Sequence, residues 1–105
     1  MTTFDDREHA FEAKFAHDAE MQFRAEARRN KLLGLWAAGL LGKSGADADA
    51  YAREVIKSDF QESGEEDVFR KIRADLGSHA DDTTIRAQMR SLLAEAKAQI
   101  MNEVG

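Results

Sequence analysis

Lys43 and Ser44 close the string AAGLLGKS, Ala37 to Ser44, which satisfies the permissive form of a phosphate-binding loop with alanine in place of its first glycine. That chemistry needs a strand before the loop and a helix opening at the Lys-Ser pair, so that backbone amides cradle a phosphate. Here helix-forming sequence runs into the string, Gly45 follows it, and no later segment reads as a strand ending in an acidic magnesium ligand. The string reads instead as a glycine-terminated helix with a cation at its end. The three histidines, His9, His17 and His79, never fall at the i, i+4 spacing that brings two imidazoles to one metal. Glu8, His9 and Glu12 read as solvated surface. Ser44, Ser58, Ser63, Ser78 and Ser91 lack a glycine-elbow context. The absence of cysteine excludes a disulfide framework and Cys-ligated zinc or iron-sulfur sites. No catalytic residue, metal or cofactor is expected, and the chain does not read as an enzyme.

A second constellation suits recognition rather than reaction. Phe4, Phe11 and Phe15 recur at spacings of seven and four, which on a helix sets three rings on one narrow stripe. Between and beside them stand Asp5, Asp6, Arg7, Glu8, Glu12 and Lys14. A stripe this thin among charges is poor material for a core-facing helix and good material for helix-in-groove binding, where a few aromatic anchors carry most of the energy. The charge then reverses: Arg24, Arg28, Arg29 and Lys31 stand against Glu26 alone. This basic cluster is expected either to flank the core on a solvated helix face or to grip an acidic protein surface. Nucleic acid is a poor candidate, because the net charge is −5 and the cluster lacks interleaved exposed aromatics.

The elements that hold these residues are expected to be helices. Zero proline, with abundant Ala, Glu, Lys, Arg and Leu, predicts an all-α chain, and 105 residues suffice for one modest core. Thr3 can cap a helix with Asp5, Asp6 and Glu8 in its first turn, and nothing stops it before Gly42. On a helical wheel, however, Met21, Ala25, Leu32 and Trp36 cluster away from the three phenylalanines. Residues 1–19 are therefore read as a protruding or partly ordered arm, and residues 20–105 as a four-helix anchoring domain. A turn over Lys43 to Asp49 leads, with Asp47 as a cap, into a second helix to about Phe60. Ser63 and Glu66 spell a capping box for a third helix ending at Gly77, and Asp81 or Asp82 caps a fourth. Trp36, Leu40 and Leu93 are expected in the core. The run Leu32 to Gly42 is too short for a bilayer, which needs about 20 apolar residues. With no secretory signal at the acidic start, a cytosolic location is expected.

The strings FDDREHAFEAKFAHDAEMQFRAEARRNKLLGLWAAGLLGKSGADADAYAREVIKSD and EEDVFRKIRADL resemble the zeta-type inhibitor subunit of bacterial F-type ATP synthases, over essentially the whole chain. The resemblance implies a four-helix protein, monomeric when free, whose N-terminal region enters an interface between catalytic and noncatalytic subunits beside the rotor. Its partners would be the soluble catalytic head and rotor, at the cytoplasmic face of the inner membrane but without membrane insertion. On this chain the inhibitory contacts would fall on Phe4, Phe11 and Phe15 with Asp5, Asp6, Arg7, Glu8, Glu12 and Lys14 around them. The resemblance further implies a one-way brake on hydrolytic rotation. A general helical adaptor lacking inhibitory activity is the competing expectation.

Overall fold

A computed structural model describes residues 19–59 and 65–104. Four α-helices follow one another: α1 Ala19–Leu40, α2 Gly45–Ser58, α3 Glu66–Leu76 and α4 Asp82–Val104, with a 3₁₀ turn at Gly77–His79 before α4. Among the described residues there is no strand, and the helices form the expected small bundle.

The stops between helices are local chemistry. At the end of α1 the Lys43 N–H donates to the Ala38 carbonyl at 2.8 Å and the Gly42 N–H to Gly39 at 3.2 Å. This is the double closure of a Schellman motif, and it needs the left-handed backbone that Gly42 adopts at φ 78°. Ser44, in extended conformation, precedes α2 without a side-chain cap. Asp47 is thus not the cap; it lies in the first turn, where a carboxylate still meets the positive end of the helix dipole. A second correction concerns α3. Glu65 occupies its N-cap position, so Glu66 is the first helical residue rather than the third position a capping box requires, and it reaches across to Arg86 instead. Ser63 and Phe60 lie outside the described residues.

Asp81 does cap α4, accepting the Thr84 N–H at 2.8 Å. Hydrogen bonds from Thr84, side chain first and then backbone, hold the Asp81 carboxyl below its ordinary range. A depressed carboxylate stabilises the fold above its unfolded value of about 3.9 and loses that contribution as pH falls through the lower folded value. Asp81→Ala is therefore expected to lower the melting temperature at neutral pH, with the two melting curves converging at acid pH. A gap that persists unchanged down the acid limb would assign the loss to something other than the ionised cap.

The main core joins all four helices through Leu33, Val55, Val68, Ile72, Leu76, Ile85 and Met89, each essentially without solvent contact. α1 makes its broadest contacts with α2 and α4. Its buried face follows the wheel at Met21 and Ala25 but departs from it further on: Leu32 and Trp36 are half-buried at the margin, whereas Leu33, Gly34, Ala37 and Ala38 are inside. The reason is proximity. Gly34 lies so close to α2 that a β-carbon there would meet the Ala52 Cα at 2.7 Å, and only small side chains fit along that seam. Leu93 is partly buried, as is Trp36, but Leu40, at 39 % exposure, is not a core residue.

Polar contacts then fix how α3 sits. Tyr51 on α2 donates to Asp75 at 2.8 Å, Lys71 donates to the same carboxylate at 3.0 Å, and the Lys71 ammonium lies 5.3 Å from the Tyr51 ring. Burial, and next the bond to Asp75, drive the phenol well above its ordinary range. On the other side Arg86 stacks over Phe69 at 3.9 Å and pairs with Glu66 at 3.1 Å, so one guanidinium bridges α4 to α3.

Candidate functional site

The aromatic and charged residues proposed for recognition, Phe4, Asp5, Asp6, Arg7, Glu8, Phe11, Glu12, Lys14 and Phe15, lie outside the described residues. What the structure describes is the segment that follows them, the first turns of α1. Met21 and Ala25 are buried there against Ile100 of α4, with Leu93 and Met101 packed alongside. This cluster is separate from the main core, which on α1 begins only at Leu33.

The four basic residues do not gather into one patch. Arg24 is exposed and pairs within its own helix with Glu20 at 2.8 Å. Arg28 crosses to α4, donating to the Gln99 Oε1 and pairing with the Glu103 carboxylate, both at 2.8 Å. Arg29 is buried at 3 % exposure; its Nε donates to the Asn30 Oδ1 at 2.9 Å and its Nη1 approaches Glu65 at 3.4 Å. Asn30, equally buried, passes the chain on by donating to Asp59 at 3.0 Å. Lys31 is exposed. Helical geometry explains the division, since each residue turns by about 100° and Arg29 therefore faces away from Arg28. Two of the four cations are thus structural ties from α1 to other parts of the chain, on two different sides of the helix.

Phe23 is the residue that sequence reasoning passes over. It is 59 % exposed, the most exposed large apolar side chain described. Its position two residues beyond Met21, about 200° round the helix from that buried contact, was the available signal.

No arrangement for catalysis emerges among the described residues. The Gly42 and Lys43 amides that a phosphate loop would direct at its ligand are spent on α1 carbonyls, and Lys43 follows the negative end of that helix. No group of three or more His, Asp or Glu could hold a metal ion among the described residues. An open groove of about 700 Å³ runs beside Arg70, Arg73, Gly77 and Asp82. Its Arg73 is already paired with Asp82 at 2.8 Å. No described helix is long and apolar enough to cross a membrane.

Comparison with known proteins places this chain among relatives. No curated protein matches the chain. A solution NMR structure is 58 % identical to it over 79 % of this chain and 98 % of that one, with a TM-score of 0.74, so the two share a fold. The profile of the ATPase inhibitor subunit zeta matches residues 1–99, from the first residue well into α4. With that span aligned, the chain belongs to the ATPase inhibitor subunit zeta family.

Proposed function

We propose that this chain is a noncatalytic inhibitor of ATP hydrolysis by an F-type ATP synthase, working as a wedge carried on a helical anchor. Membership of an ATPase inhibitor family is the observation that carries the reading, because the match extends from residue 1 through the aromatic stripe. In this reading residues 1–19 insert between a catalytic and a noncatalytic subunit of the soluble head, beside the rotor. Phe4, Phe11 and Phe15 fill apolar pockets there. Asp5, Asp6, Arg7, Glu8, Glu12 and Lys14 make the rim contacts. Residues 20–105 are the anchoring domain, monomeric when free and held at the cytoplasmic face of the inner membrane only through the enzyme.

A wedge in a closing interface holds that catalytic site in one conformation, and rotation stops. Hydrolysis and synthesis turn the rotor in opposite senses, so the same wedge is tightened by one and expelled by the other. Ordering the arm on binding costs a few kcal/mol, which burial of its rings must exceed.

The test is ATP hydrolysis by the isolated soluble head of the cognate synthase, with the whole chain or with a chain lacking residues 1–19. Inhibition by the whole chain and none by the shortened one is expected. No effect of the whole chain at saturation would end the inhibitor reading. Equal inhibition by both would keep the function and remove the arm from it.

A further inference from the structure

The first turns of α1 have little apolar hold on the bundle. From Ala19 to Arg28 only Met21 and Ala25 are buried, while Gln22, Phe23, Arg24 and Glu26 are exposed. Two buried side chains against Ile100, with Leu93 and Met101 alongside, make a small contact that leaves the rotation of the helix end weakly set. Arg28 supplies what they lack. Its two terminal nitrogens reach Gln99 and Glu103, residues one turn apart on the same face of α4, each at 2.8 Å. A planar guanidinium forked between two acceptors constrains both the distance between helices and the roll of one on the other. One residue further on, about 100° round α1, Arg29 pairs with Glu65 just ahead of α3 and donates to its own helix neighbour Asn30.

We propose that Arg28 is a positioning residue for inhibition: it acts through Gln99 and Glu103, not by touching the inhibited enzyme, and sets the angle and roll of the first turns of α1, to which residues 1–18 are joined. This rests on the inhibitor reading above and adds to it a residue outside the arm. It also reassigns Arg28 from a partner-gripping basic patch to an internal clamp between α1 and α4.

Charge exchange separates the two roles. Arg28→Glu opposes Glu103, and its inhibition of the soluble head is expected to weaken roughly fivefold, the scale of one exposed ion pair with its hydrogen bond. Arg28→Glu combined with Glu103→Arg restores the pair in reverse and is expected to return inhibition to within about twofold of the parent. Hydrogen exchange at the Met21 to Ala25 amides supplies a readout independent of inhibition, quickened in the single variant and slowed again in the double. If Arg28→Glu does not fold, Arg28→Gln replaces the single variant, with weaker inhibition and quicker exchange again expected. A defect that survives in the double variant means that Arg28 meets the partner, and the proposal falls. Unchanged exchange in the single variant also sinks it. An unsubstituted chain that does not inhibit at all would overturn the inhibitor reading itself, a result distinct from any of these.

Discussion

Shortening Leu33 to alanine is expected to reduce unfolding free energy by about 2–5 kcal/mol, the range for a fully buried leucine whose site cannot collapse. Leu33 is entirely inside a cluster drawn from all four helices, so the space it vacates is walled by groups that other contacts hold in position. In a domain of this size each kcal/mol lowers the melting temperature by about 4–8 °C, so the change is large enough to threaten folding at growth temperature. The same truncation at Leu40 is expected to cost under about 1 kcal/mol, because that side chain is 39 % exposed at the last residue of α1. Urea unfolding followed by circular dichroism checks both. The two residues share a face of α1, seven positions apart, so equal losses would show that the core extends to the last residue of the helix.

Two glycines five residues apart on α1 are expected to respond to alanine with opposite signs. Helix propensity alone favours alanine by about 1 kcal/mol at either. At Gly39 nothing lies within 4 Å of the added carbon, so Gly39→Ala is expected to stabilise by up to about that amount. At Gly34 the added carbon would meet the Ala52 Cα at 2.7 Å and Val55 at 3.3 Å. Backbone cannot step aside as a flexible side chain can, and α1 must be pushed off α2, for a net loss of about 1–3 kcal/mol. Thermal melts of the two variants side by side decide it, and a stable Gly34→Ala chain would contradict the close approach of α1 and α2.

Much of the architecture was legible because it is encoded locally. Gly42 and Gly77 end helices by taking a backbone that other residues avoid, and Asp81 caps its helix with its own side chain three residues on. Each decision involves a few consecutive residues. The buried face of α1 was legible at Met21 and Ala25 but not beyond them, because Gly34, Ala37 and Ala38 carry almost no hydrophobic weight on a wheel. Their value lies in smallness, which appears only when α2 is brought alongside. Arg28 and Arg29 were misread as one patch for the same kind of reason, since Gln99 is 71 residues from Arg28 and Glu65 is 36 from Arg29. As for the candidate site, the phenylalanine stripe is a pattern of spacing that lies outside the described residues, whereas the exposure of Phe23 follows from its turn of about 200° away from buried Met21.

The seam along Gly34, Ala37 and Ala38 has a mechanical consequence. A 22-residue helix is a rod of about 33 Å, and α1 lies with its length against α2 and α4. A pull applied at Ala19 along that rod loads the whole seam in shear, so every contact must slip together, whereas a sideways pull would peel the contacts one by one. Interlocked backbones at Gly34 and Ala52 resist slip as a pawl resists a ratchet. The bundle thus resists a pull along α1 better than one across it.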